Sequence, residues 1–67
     1  MFEIQVNGEP RRFNQVPSVA ELLSEMGLAS KRVAVECNGE IVPKSRHAET
    51  RLSSGDCVEI VVAVGGG

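Results

Sequence analysis

The chain has 67 residues, enough for one small domain with a single modest core. A chain of this size is too short to surround a deep substrate pocket, which argues against an autonomous enzyme and favours a binding or carrier module. A net charge of −2 and only two aromatic residues exclude a basic, base-stacking nucleic-acid interface, while 42% hydrophobic residues fit a folded domain.

The first predicted elements form a hairpin. Residues 2–6 alternate apolar and polar side chains, which is typical of a half-buried strand. Asn7-Gly8-Glu9-Pro10 is turn chemistry, because Asn-Gly readily adopts the positive φ angles of tight hairpins. We expect the return strand over residues 11–15, with Phe13 pointing inward.

A helix follows. Ser18 is a favourable N-cap, and Glu21 stands three residues later, which completes a capping box. Gly27 is suited to end the helix in the left-handed conformation. One apolar stripe, which we assign to the core, runs along the helix through Val19, Leu22, Leu23 and Met26.

The second half of the chain is predicted to be mostly strands. We expect strands over residues 33–37 and 57–64 and a short apolar segment, Ile41-Val42, after a turn at Asn38-Gly39. The polar stretch 44–50 is predicted to be irregular, with one short helical turn. In the last strand one face carries Val58, Ile60, Val62 and Val64.

This order of elements predicts an α+β fold. The most apolar strand should be central, so the simplest arrangement places the first and last strands parallel in mid-sheet. The predicted fold is a ubiquitin-like β-grasp: a mixed four- to five-stranded sheet with one main helix on one face. Residues 1–64 form the domain, and residues 65–67 form a flexible glycine tail.

The two cysteines are predicted to be reduced thiols. Cys37 shares the inward parity of Val35, whereas Cys57 shares the outward parity of Glu59. A disulfide requires close Cβ atoms, which side chains on opposite faces do not provide. We expect Cys37 to serve as a small core residue.

No catalytic constellation is found. His47, the single histidine, lies in a polar stretch and is expected to be solvated, and the cysteines and His47 do not form a metal-ligand pattern. We expect no metal and no catalytic side chain. No apolar stretch could cross a bilayer, and the amino terminus lacks a signal-peptide plan, so we expect the protein in the cytoplasm without membrane contact.

The glycine tail, Gly65, Gly66 and Gly67, is the strongest functional candidate. Glycine carries no side chain, so such a tail can enter a narrow channel in another protein. A carboxylate is a poor electrophile and must first become a mixed anhydride, most simply with AMP. The competing interpretation is that the glycines are an inert, fraying end or a remnant of cloning.

A small apolar patch is predicted beside the tail. Val61 and Ala63 have the outward parity of the last strand, and antiparallel pairing would bring outward-facing Ala34 beside them. We interpret these three residues as a docking patch for a partner, although isolated apolar surface residues are common.

These features together resemble the ThiS family of sulfur carriers in thiamine biosynthesis. The resemblance covers the whole chain. Its elements are the Asn7-Gly8 hairpin, the Ser18–Leu23 helix segment, the segment from Asn38-Gly39 to Pro43-Lys44, Ser54-Gly55-Asp56 and the closing glycines. The Asn-Gly-x-x-Val-Pro-Lys segment and the Gly-Gly end are specific only in combination.

The resemblance implies a mechanism. An E1-like, ThiF-like adenylyltransferase would consume ATP to adenylate the Gly67 carboxylate. A cysteine desulfurase, directly or through a relay protein, would then supply sulfur to give a thiocarboxylate. A ThiG-like thiazole synthase would accept that sulfur. Gly66 and Gly67 match the family's tail pair, Gly65 has a supporting role, and no cofactor is permanently bound.

Two alternatives stay open. The related carrier that serves molybdopterin synthase shares the fold and the tail, but usually has a phenylalanine near the tail. This chain has no aromatic residue between Val58 and Gly67, which favours the thiamine pathway. The other alternative is a ubiquitin-like interaction module that docks through its patch and is never activated.

Overall fold

The computed structural model describes residues 2–63, which form one five-stranded sheet and one α-helix. The strands are β1 (Phe2–Val6), β2 (Glu9–Phe13), β3 (Val33–Cys37), β4 (Glu40–Val42) and β5 (Cys57–Val62). The helix, α1, spans Val19–Glu25, and a 3₁₀ turn spans Lys44–Arg46. No helix among these residues is long and apolar enough to cross a membrane.

The strand order of the sheet is β2-β1-β5-β3-β4. The sheet is mixed, because β1 and β5 lie side by side and parallel whereas every other neighbouring pair is antiparallel. The most apolar strand is therefore central, as expected. This arrangement confirms the predicted ubiquitin-like β-grasp, with β1 and β5 in the middle.

The core lies between α1 and one face of the sheet. Helix residues Val19 and Leu22 are fully buried, and they face a layer of strand side chains. That layer consists of Ile4, Val6, Phe13, Val35, Val42, Val58 and Ile60. Leu52, which precedes β5 and was not predicted as core, is also buried.

The amino terminus of α1 is satisfied by side chains and by a distant loop. The capping box is present: Glu21 N–H donates to Ser18 Oγ at 3.1 Å, and Ser18 N–H donates to Glu21 Oε1 at 2.8 Å. Val19 and Ala20 lie between Ser18 and Glu21. The Val19 amide donates to the Thr50 carbonyl and the Ala20 amide donates to the His47 carbonyl, both at 2.9 Å. Carbonyl groups after the 3₁₀ turn thus accept hydrogen bonds from helix amides that have no partner within the helix.

Some predicted boundaries were wrong by a few residues. The first turn is the two-residue Asn7-Gly8 loop, so β2 begins at Glu9 rather than at Arg11. The helix ends at Glu25, with Met26 as its C-cap and Gly27 following at φ +76°, but Met26 still packs against the core as the apolar stripe predicted. β5 ends at Val62, and the predicted continuation to Val64 lies outside the described residues.

Replacing Leu22 with alanine tests the position of the core. Leu22 is fully buried, so Leu22→Ala is expected to lower the free energy of unfolding by about 2–5 kcal/mol, measured by urea titration. Val61→Ala is the matched control, because Val61 is 66% exposed and its truncation should cost less than about 1 kcal/mol. Equal losses in the two variants would contradict the assigned core.

Candidate functional site

The last strand, β5, leads to Ala63, the last described residue, and its two neighbours, β1 and β3, pair with it over different lengths. β3 pairs with β5 along the whole strand, up to Val33 opposite Val62, and the Ala63 amide donates to the Arg32 carbonyl at 2.9 Å. β1 pairs only with the first half of β5, at Cys57 and Val58. The position of Ala63, which we call the tail root, is therefore fixed by β3.

Two asparagine side chains extend the pairing of β5 beyond the regular ladders. Asn7, at φ 52°, accepts the Ile60 amide hydrogen at 2.7 Å and donates to the Ile60 carbonyl at 3.2 Å. Asn38, at φ 54°, accepts the Cys57 amide hydrogen at 3.0 Å. Each Asn-Gly turn thus provides a side chain that binds the backbone of the central strand.

The predicted docking patch lies together on the face of the sheet away from α1. Ala34 is directly opposite Val61 in the β3–β5 ladder, and both side chains are exposed, as is Ala63. Ile41, which was not predicted, lies on the same face and is 65% exposed. Its parity opposite to the buried Val42 is the sequence signal that could have identified it.

Two glutamates border this patch. Glu36 and Glu59 lie directly opposite each other on β3 and β5, and Ile41 is the partner of Glu36 on β4. Like charges in directly opposed positions destabilise a sheet. Neither glutamate forms an ion pair within residues 2–63, where the ion pairs are Arg12–Glu3 and Arg51–Glu21. The outward face is therefore acidic beside its apolar residues.

Both cysteines are free thiols on opposite faces of the sheet. Cys37 is half-buried against the core and pairs with Val58, whereas Cys57 is exposed and pairs with Gln5. Burial, followed by the charge of nearby Asp56, raises the pKa of the Cys37 thiol above its ordinary value of 9.0. Cys37 is thus held in the neutral form and is a poor nucleophile.

The expectation that His47 is solvated was wrong. Only 7% of this residue is exposed, and its Nε2 lies 3.0 Å from the Val42 carbonyl. A carbonyl oxygen can only accept, so Nε2 carries the hydrogen and donates. His47 joins the end of the 3₁₀ turn to β4. Its contacts are structural, and neither cysteine is among its hydrogen-bond partners in the described chain.

The functional group predicted from the sequence lies beyond this region. Gly65, Gly66 and Gly67 are outside the described residues, so their assigned roles stay predictions. Within residues 2–63, no group of three histidine, cysteine, aspartate or glutamate side chains could hold a metal ion. What the described residues present is a hydrogen-bonded tail root, flanked by an exposed apolar patch.

Comparison with known proteins identifies the family. The sequence profile of the ThiS family matches residues 4–67. The chain belongs to the ThiS family. These proteins are the sulfur carriers of thiamine biosynthesis, and the ubiquitin-like β-grasp described above is their fold.

Individual relatives agree with this assignment. The sulfur carrier protein ThiS of Bacillus subtilis is 38% identical over 65 residues, which cover 96% of this chain and 98% of the relative. A crystal structure of the thiamine biosynthesis protein ThiS from Geobacter metallireducens superposes with a TM-score of 0.83 at 35% identity, covering 98% of this chain and 100% of that chain.

A much longer protein also contains a similar segment. A thiazole synthase of Paramagnetospirillum magneticum is 48% identical to this chain over 65 residues. The matched region covers 97% of this chain but only 20% of that thiazole synthase. This chain therefore spans about a fifth of the length of that relative.

Replacing Asn7 with aspartate tests its bond to β5. Aspartate tolerates the left-handed backbone and keeps an acceptor for the Ile60 amide, but it cannot donate to the Ile60 carbonyl. Asn7→Asp is expected to cost about 1–3 kcal/mol of unfolding free energy in urea titration. Asn14→Asp makes the same charge change at an exposed site and should stay within about 0.5 kcal/mol. Similar losses of unfolding free energy in both variants would rule out a stabilising role for the hydrogen bonds between Asn7 and Ile60.

The raised pKa of Cys37 predicts a loss of stability in alkaline solution. The folded state holds the thiol proton more tightly than the unfolded chain, so this contribution is fully present below pH 9.0 and is lost as the pH rises through the higher folded pKa. Urea titrations across that range, under reducing conditions, should show a smaller alkaline decline for Cys37→Ala than for the wild type. Parallel declines would exclude this linkage.

Proposed function

We propose that this protein carries sulfur as a thiocarboxylate on Gly67 and donates it for thiazole formation. In this proposal the protein is a cosubstrate that acts in the cytoplasm. An E1-like adenylyltransferase consumes ATP, and the carrier itself binds no cofactor. The observation that carries the proposal is the match to the ThiS family through residue 67.

The chemistry follows from the carboxylate. An oxygen of the Gly67 carboxylate attacks the α-phosphorus of ATP, pyrophosphate leaves, and an acyl adenylate forms. A persulfide sulfur, supplied by a cysteine desulfurase or a relay protein, then attacks the carbonyl carbon and AMP departs, which leaves an acyl disulfide. A thiol reductant attacks the donor's sulfur of that disulfide, which releases the thiocarboxylate and leaves the donor in a mixed disulfide. These steps require the end of the chain to enter the partner's active site, and Gly65 and Gly66 add no side-chain bulk there.

The geometry of the described residues supports a passive carrier. The tail root, which follows the end of the central strand β5, is held by the Ala63–Arg32 hydrogen bond. Ala34 and Val61 form an exposed apolar surface close to that root, which suits a partner that recognises the domain while it processes the tail. The deprotonated form of Cys37, the one needed for sulfur transfer, is disfavoured.

The thiazole synthase relative supports the choice of acceptor. A segment similar to this chain makes up a fifth of that protein. Joining two domains in one chain raises their effective concentration, and this favours partners that act on each other. We therefore propose a separate thiazole synthase as the sulfur acceptor of this carrier.

Intact-mass spectrometry tests the proposal. The protein is incubated with ATP, a cysteine desulfurase with cysteine, an E1-like adenylyltransferase and a thiol reductant. We expect the mass increase of one oxygen replaced by sulfur, located on Gly67 by fragmentation. Omission of ATP should abolish the change. An unchanged mass, together with intact binding of partners after deletion of Gly66 and Gly67, would instead favour an interaction module that uses the apolar patch.

Gly66→Val tests why glycine is needed. A β-branched residue adds bulk and stiffness to a segment that must enter a narrow channel. We expect adenylation, followed as ATP–pyrophosphate exchange, to fall by at least about tenfold, a loss of about 1.4 kcal/mol in transition-state stabilisation. The melting temperature should not change. Gly66→Ala is the graded control, and normal exchange by Gly66→Val would refute the channel argument.

A further inference from the structure

A groove of about 250 Å³ opens on the helix side of the sheet. It lies between α1, the loop that follows α1 and the 3₁₀ turn, and a shallower depression of about 220 Å³ continues it past Ala20 and Ala48. We call it the cationic groove. Its floor is apolar and includes a buried histidine, and its rim carries three cations. The floor consists of Leu23, Ala29, Val33 and His47, and the rim consists of Lys31, Arg32 and Lys44.

The charges of this groove have no counterpart among the described residues. No carboxylate lines either depression. Lys31, Arg32 and Lys44 are exposed and form no ion pair within residues 2–63. The whole chain carries a net charge of −2, so three adjacent unpaired cations run against its overall balance. An anionic group placed here would gain three favourable interactions at once.

The groove also lies at the tail root. Its rim residue Arg32 accepts the hydrogen bond from the Ala63 amide, and Val33 on its floor is the ladder partner of Val62. Residues 64–67 can span at most about 14 Å when fully extended. A protein that takes up Gly67 must therefore come close to the rim of the groove.

We propose that the cationic groove binds a carboxylate-bearing segment of the adenylyltransferase that accepts the tail. This inference rests on the proposed function. The apolar floor favours an acidic peptide segment with an apolar side chain over a bare phosphate, which would leave Leu23 and Val33 without an apolar contact. The groove and the docking patch lie on opposite faces of the sheet, so the adenylyltransferase holds the tail root from two sides.

The test is isothermal titration calorimetry of the carrier with the adenylyltransferase, without ATP. Lys31→Gln, Arg32→Gln and Lys44→Gln are expected to raise the Kd by about two- to fivefold each, and the triple variant by about tenfold or more. Added salt should weaken wild-type binding more than binding of the triple variant. Arg46→Gln is the matched control, because Arg46 lies on the same 3₁₀ turn but lines a different depression. Its Kd should change less than about twofold.

Three results would overturn the inference. The first is a triple variant that binds like the wild type, and the second is an equal loss in Arg46→Gln, which would indicate a diffuse charge effect. The third is a shift of the amide resonances of Lys31 to Val33 by inorganic phosphate or ATP alone, which would indicate a phosphate site.

A second measurement separates this inference from the proposed function. At saturating carrier concentration the triple variant should still form the thiocarboxylate, with a raised KM and an unchanged kcat. A lowered kcat would contradict a role in docking. Groove-dependent binding without any thiocarboxylate in the wild type would refute the proposed function and leave the groove supported.

Discussion

The backbone hydrogen bonds on both sides of β5 are the constraint on which the rest of the molecule depends. β1 and β3 pair with this strand in opposite directions, and the side chains of Asn7 and Asn38 add bonds at its Ile60 and Cys57 backbone. A small domain has little stability to spare, so the hydrogen bonds on both edges of this central strand are an important part of the free energy of unfolding. The bond from Ala63 to Arg32 continues this ladder to the point where the described chain ends. The position of Ala63 is therefore set by the same kind of hydrogen bonds that form the sheet.

The alternation of side chains along β5 separates the core from the exposed face of the sheet. Val58 and Ile60 face α1 and are buried, while Glu59 and Val61 face away and are exposed. Because the period of a strand is two, each surface can change without repacking the other. The opposed pair of Glu36 and Glu59 costs the free protein some stability on the outward face. This cost is confined to the outward face and does not reach the core.

Local sequence signals predicted most of the fold. The capping box at Ser18, the Asn-Gly turns and the alternation of β5 act over a few residues, and the structure confirms each of them. The burial of His47 and Leu52 could not be predicted in this way. The stretch around His47 has no hydrophobic period, and its burial depends on Val42 and on the start of α1, which fold against it from elsewhere in the chain. The cationic groove was missed for the same reason, since Lys31 and Lys44 come together only through tertiary packing.

In the proposed function, several partners must recognise the same small carrier and reach its carboxyl end. The proposed chemistry at Gly67 needs a slender end, and a slender end offers little surface for recognition. The separation seen here answers that requirement. An acidic and apolar surface lies on one side of the tail root and a cationic groove on the other, and β3 contributes Ala34 to the first and Val33 to the second. The Ala63 amide bonds to Arg32, which directly precedes β3. Either surface therefore lies next to the tail root. In the proposed function, this arrangement couples recognition of the carrier to delivery of the Gly67 carboxylate.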